Sequence, residues 1–131
     1  RRNHRILRIT RKINIMREFK FRGYHLSTRT MLQEAVTGDV FRWYQDGQEL
    51  AIMQYTGLKD KNGIEIYEGD ILKLDLIHHP CGIKEPIKDS EISAVYWDNI
   101  EMRFRNKFNY AGNFKYAEII GNIHQNPELI Q

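Results

Sequence analysis

Residues 54–73 read QYTGLKDKNGIEIYEGDILK and place two turn signals between three strand-like pieces. In the first signal, Asn62 and Gly63 can both adopt a positive φ, which a two-residue hairpin turn of the primed type requires. In the second, Gly69 relieves backbone strain between Glu68 and Asp70. Asn62, Gly63 and Gly69 are therefore interpreted as structural turn residues, and the stretch predicts compact antiparallel β structure.

The segment after the second turn alternates between apolar and polar residues. Leu72, Leu74 and Leu76 share one face, while Lys73 and Asp75 share the other. This alternation with a period of two residues is typical of a strand that is buried on one side.

Short strand patterns recur along the rest of the chain. They are predicted at residues 17–22, 40–44, 51–55, 64–67, 92–97, 102–108 and 116–120. Residues 31–36 fit a strand or a short helix, and Asn126-Pro127 can start a single helical turn. Many closely spaced short strands predict a mostly β fold with little helix, namely a small bent antiparallel β-barrel with an added hairpin.

Three separated segments resemble the YopX family of phage and prophage proteins. They are residues 54–73, the opening MREFKFR at 16–22 and the close EIIGNIHQNPELI at 118–130. The resemblance extends from residue 16 to residue 131 and implies a mostly β fold and a phage-related origin. It implies no activity, and it transfers no catalytic residues to this chain.

The chain divides by charge into a leader, residues 1–15, and a single YopX-like β domain, residues 16–131. The leader carries six Arg or Lys residues and no acid, whereas the whole chain has a formal net charge of +3, which leaves −3 on the domain. Two interpretations compete for the leader. The favoured one is an extension added by cloning or upstream translation, which contributes no core contacts; the other is a basic arm that binds nucleic acid.

Apolar runs and cysteine content indicate where the protein works. No apolar stretch approaches the length needed to cross a bilayer, so the sequence predicts no membrane association. Cys81 is the single cysteine, which excludes an intrachain disulfide. A lone thiol fits a reducing compartment, so the bacterial host cytoplasm is the expected location.

Candidate catalytic and metal-binding groups are outweighed by simpler interpretations. His78, His79 and Cys81 offer three neighbouring zinc ligands, but a fourth would have to come from a distant residue such as His124. Adjacent histidines also rarely converge on one ion, so an exposed loop is favoured. A calcium loop starting at Asp60 would need Gly at its sixth position, where Glu65 stands. The acids beside Gly69 are common turn residues. The sequence therefore predicts a protein that is not an enzyme and has no catalytic residues, metal or cofactor.

A cationic strand face suggests nucleic acid as a partner. Arg103, Arg105 and Lys107 alternate with Phe104, Asn106 and Phe108, and cations on one face could follow phosphates. The simpler interpretation is that the aromatic residues face the core and the cations face solvent. The acidic domain argues against strong non-specific binding, so nucleic acid is a less favoured partner.

The function predicted from the sequence is a protein-interaction or self-assembling module with an unknown protein partner. Tyr and Trp are numerous for a small core and are favoured at interfaces. Residues 92–97 are the candidate contact strand, because both of its faces carry apolar groups. A homo-oligomer joined there competes with a strand that is buried on both sides within one monomer.

Overall fold

Antiparallel strand pairs dominate the computed structural model, which describes residues 18–106 and 111–131. The strands are β1 (Phe21–His25), β2 (Thr30–Gln33), β3 (Leu50–Lys59), β4 (Glu65–Tyr67), β5 (Asp70–His78), β6 (Ile87–Ala94), β7 (Tyr96–Asp98), β8 (Arg103–Arg105) and β9 (Glu118–Asn122). One α-helix, α1 (Asp39–Gln45), and two 3₁₀ helices, Ala111–Tyr116 and Pro127–Ile130, complete the described elements.

The described strands form three sheets, ordered β2-β1-β3-β4, β6-β5-β9 and β7-β8. One sheet curls into a half-barrel, which confirms the predicted mostly β, bent antiparallel architecture. The core lies where the sheets meet the 3₁₀ helix at 111–116. Its buried apolar residues are Ile66, Leu72, Leu74, Val95, Phe104, Phe114 and Ala117.

The alternation predicted for β5 is confirmed. Leu72 and Leu74 are buried and Leu76 packs against the same core, whereas Asp75 is exposed. The predicted strand at 92–97 breaks at Val95 and becomes the end of β6 and the start of β7. Lys107, at the end of the predicted cationic face, lies outside the described residues.

The strand predicted at 40–44 is wrong, because α1 forms there. Local carboxylates explain the outcome: Asp39 accepts the backbone N–H groups of Ala35 and Val36, and Glu34 accepts those of Gly38 and Val40. The Glu34 bonds satisfy N–H groups at the start of the helix, which would otherwise lack partners, and the Asp39 bonds hold the chain that leads into it. Local side-chain bonding thus overrides the strand propensity of the aromatic residues in α1.

The turn at Asn62-Gly63 has a different form from the one predicted. Gly63 has a φ of 78°, but Asn62 does not share a positive φ. The Gly63 N–H donates to the Asp60 carbonyl and the Asp60 N–H donates to the Ile64 carbonyl. This pattern fits a type I turn followed by a left-handed glycine. The two-residue primed turn is therefore wrong, although Asn62, Gly63 and Gly69 all lie in turns.

Replacing Gly63 by valine should lower the free energy of unfolding by about 1 kcal/mol or more, because a β-branched residue resists positive φ. A Cβ atom at this position would meet nothing within 4 Å, so the cost is conformational rather than steric. Urea denaturation measures the loss. Gly63→Asn is the matched control and should lose less, since asparagine tolerates this region; equal losses would contradict the explanation.

Candidate functional site

The β6 strand forms an open edge of its sheet. Within the described residues it pairs with β5 alone, in a regular register from Ile71 opposite Ala94 to His78 opposite Ile87. Residues 87–90 of this strand are exposed. An edge strand presents backbone donors and acceptors that can pair with another chain.

The direction of the backbone groups along β6 follows from the contacts of Val95. Its N–H donates to the Asp70 carbonyl at 2.9 Å, and its carbonyl accepts the Gly69 N–H at 2.8 Å, so both groups point towards β5. Alternation along the strand turns the backbone groups of Ile92 and Ser90 the other way, towards the open edge. The Ser90 N–H agrees with this direction, because it contacts Asp89 Oδ1 at 2.7 Å.

A cavity of about 480 Å³ lies beside this edge, lined by Ile92, Ser93, Ala94, Tyr96 and Ile130. Tyr96 is 49% exposed and Ile130 is 46% exposed, so the lining is apolar but open to solvent. Ile130 belongs to the C-terminal 3₁₀ helix, which packs against β6. We call this surface, formed by the cavity and the backbone edge of residues 88–94, the β6 edge site.

Asparagine side chains hold the chain that carries Ile130. Asn122 Oδ1 accepts the N–H groups of His124 and Gln125, and Asn126 Oδ1 accepts the Asn122 N–H. The predicted helical turn at Asn126-Pro127 is confirmed. Sequence reasoning missed the contribution of Ile130, because that residue reaches β6 only after the chain leaves β9 on the opposite side of β5.

A buried ion pair supports the other end of the site. Arg22 Nη2 on β1 lies 2.7 Å from Asp70 Oδ1 on β5, and both side chains are almost fully buried. Asp70 also accepts the Tyr67 N–H, while the Arg22 guanidinium lies over the Tyr67 ring. Burial raises the pKa of Asp70, and the nearby Arg22 cation opposes that rise. The pair joins two sheets at Asp70, the residue whose carbonyl accepts the Val95 N–H.

His124 packs against the same region. Its ring stacks on Tyr24 with centroids 4.9 Å apart and an interplanar angle of 13°. Burial lowers the pKa of His124, and the Arg22 cation lowers it further. The neutral imidazole is therefore the form that the fold favours.

Stability should fall as the pH drops through the range in which His124 titrates. The unfolded chain binds more protons than the folded chain there, because folding lowers this pKa. The stabilisation is fully present above about pH 6.5, the ordinary histidine value, and is lost towards the lower folded-state pKa. Urea denaturation at neutral and mildly acidic pH measures it. His124→Gln should weaken the dependence, and an unchanged dependence in that variant would contradict the assignment.

The predicted cationic face is partly neutralised by neighbouring acids. Arg103 lies 3.1 Å from Glu101, and Arg105 lies 2.9 Å from Asp98. Asp98 also accepts the N–H groups of Glu101 and Ile100, and these bonds, followed by the Arg105 contact, lower its pKa. The structure therefore places Arg103 and Arg105 on β8, which pairs with β7, and ion pairs occupy both guanidinium groups.

Acidic side chains that sequence reasoning considered for chemistry hold backbone groups instead. Asp60 Oδ1 accepts the N–H groups of Asn62 and Ile64, and its Oδ2 accepts the Ile119 N–H. Glu68 accepts the Gln54 N–H. Across residues 18–106 and 111–131, no group of three or more His, Cys, Asp or Glu residues is arranged to bind a metal.

A family model described as YopX protein matches residues 10–131. The chain belongs to the YopX family. The match starts before Met16, within the predicted leader. Residues 1–17 lie outside the described part of the chain, so the leader boundary stays a prediction.

The YopX fold also has a solved relative. The crystal structure of protein EF1440 from Enterococcus faecalis is similar, with a TM-score of 0.59 and 28% identity, over 88% of this chain and 99% of that chain. Comparison with curated proteins gave no match. Among the described residues of this YopX-family chain, none of the helices is both long and apolar enough to span a membrane.

Proposed function

We propose that this YopX-family protein is a non-catalytic protein-interaction or self-assembling module, encoded by a phage or prophage and active in the host cytoplasm. The supporting observation is the β6 edge site, in which outward backbone groups run beside an apolar cavity. An extended segment can add to such an edge through main-chain hydrogen bonds, while the cavity selects its side chains. The exposed thiol of Cys81 is compatible with a reducing compartment.

The contacts of the buried acids support a role without catalysis. A general acid or base must have its carboxylate available to a substrate. The carboxylate oxygens of Asp60 and Asp70 instead accept hydrogen bonds from backbone N–H groups and, for Asp70, from Arg22. Their burial and bonding are what a structural anchor requires.

Nucleic-acid binding ranks second. Arg103 and Arg105 share one strand face, but the adjacent carboxylates would compete with phosphates for both guanidinium groups. A salt-sensitive gel shift that disappears in Arg103→Ala would favour this alternative over a protein partner.

Affinity capture from bacterial lysate, with and without nuclease, tests the proposed function. Immobilised wild type should retain a protein, either from the host or an untagged copy of the chain, after nuclease treatment. Ile92→Lys should abolish the retention, because it places a charge in the centre of the β6 edge site. Ile64→Lys is the matched control, since Ile64 is 55% exposed and lies between β3 and β4, outside the sheet that contains β6. Retention that is sensitive to nuclease, or unaffected by Ile92→Lys, would contradict the proposal.

A further inference from the structure

We infer that the occupant of the β6 edge site is a second copy of the chain, whose β6 pairs antiparallel with the first about a two-fold axis at Ile92. This inference rests on the proposed function and names its partner. It follows from the direction of the backbone groups, the charges along β6 and the cavity beside it.

Symmetry limits how two β6 strands can pair. A two-fold axis that relates adjacent antiparallel strands must stand perpendicular to the sheet, so each residue keeps its face and one residue lies opposite itself. The Ile92 N–H and carbonyl point to the open edge, as deduced from Val95. Two copies of Ile92 can therefore exchange both backbone hydrogen bonds directly on the axis.

Charges exclude the neighbouring registers. An axis at Asp89 or Glu91 would place a carboxylate against its own copy, and an axis at Ser90 would place Asp89 opposite Glu91. An axis at Lys88 would oppose two ammonium groups. Like charges directly opposite each other destabilise a strand pair. Axes beyond Ile92 leave little of β6 to pair, because the strand ends at Ala94.

The register centred on Ile92 is self-complementary in charge. It places Ser90 opposite Ala94 and Glu91 opposite Ser93 of the second copy, with no like charges facing each other. The paired segment runs from Ser90 to Ala94, the end of β6, so Lys88 and Asp89 lie outside it. The exposed Ser90–Asp89 bond gives way to a strand hydrogen bond.

The cavity supplies the apolar part of this interface. Ile92, Tyr96 and Ile130 border it in each copy. The two-fold axis at Ile92 brings the two cavities together, so side chains that are open to water in one chain become neighbours of their counterparts. Removal of this apolar surface from water favours association.

Cysteine cross-linking tests the register in the full chain carrying Cys81→Ser. Residues opposite each other in a hydrogen-bonded antiparallel pair have Cα atoms about 5.5 Å apart, which is within the range of disulfides. Ile92→Cys should therefore form a dimer under mild oxidation. Ser90→Cys should not cross-link to itself, whereas mixing Ser90→Cys with Ala94→Cys should. Preferential self-linking of Ser90→Cys would overturn the register.

Light scattering on the full chain at micromolar concentrations tests the assembly. We expect twice the chain mass for wild type and for the control Ile64→Lys, and one chain mass for Ile92→Lys, which sets two ammonium groups opposite each other. A single-chain mass for wild type at every concentration would overturn the inference. In that case, nuclease-resistant capture of another protein that still depends on Ile92 would leave the proposed function standing.

Discussion

Replacing Arg22 by methionine should lower the free energy of unfolding by about 3 kcal/mol, because it leaves the Asp70 carboxylate buried without its cationic partner. Loss of one member of a buried pair typically costs about 3–5 kcal/mol. The lower end applies here, since Arg22 Nε is buried and has no hydrogen-bond partner among residues 18–106 and 111–131, and methionine relieves that cost. Urea or thermal denaturation measures the change.

Two further variants identify the cause of this loss. Arg42→Met removes the ion pair between Arg42 and Asp39. The Arg42 side chain is mostly exposed, so the loss in free energy of unfolding should stay below about 1 kcal/mol. Adding Asp70→Asn to Arg22→Met should recover part of the stability, because a neutral amide replaces the stranded charge while its oxygen can still accept the Tyr67 N–H. If the double variant were less stable than Arg22→Met alone, the buried-charge explanation would be wrong.

This ion pair also shows where prediction from sequence ends. The turn at Glu68-Gly69-Asp70 could be predicted, since glycine and acids between two apolar runs have a local meaning. The Arg22–Asp70 contact joins residues 48 positions apart and depends on how two sheets pack. Without an alignment or a fold, the local pattern could not identify the partner.

The helix α1 shows the opposite case, in which a local signal in the sequence outweighs strand propensity. The aromatic residues in this segment favour a strand, but Asp39 begins the helix and Glu34, which precedes it, accepts the Val40 N–H. Such carboxylates near a helix start are readable from sequence. The strand propensity of aromatic residues was a weaker guide, because it reflects their packing environment.

The candidate site was predictable in part. Apolar residues on both faces of 92–97 predict a contact strand, and within the described residues its first part, the end of β6, lies at a sheet edge. That edge position could not be read from sequence, because it depends on which strands flank β5. The same holds for Ile130, whose place beside Tyr96 results from the path of the chain after β9.

The second large effect is expected at Asp60. Asp60→Ala should lower the free energy of unfolding by about 2–3 kcal/mol, because it removes the acceptor for three backbone N–H groups, each worth about 1 kcal/mol. Two of these groups, from Asn62 and Ile64, lie in the turn between β3 and β4, and the third, from Ile119, lies in β9. The carboxylate thus joins a local turn to a distant strand, and its loss should loosen both.

Hydrogen exchange separates the two consequences. In Asp60→Ala the amides of Asn62, Ile64 and Ile119 should exchange faster, whereas a purely local turn defect would leave Ile119 protected. Asp75→Ala is the control, since Asp75 is an exposed acid on β5 and its loss should change stability by less than about 0.5 kcal/mol. Faster exchange at Asn62 and Ile64 with an unchanged exchange rate at Ile119 would show that Asp60 does not connect the turn between β3 and β4 to β9.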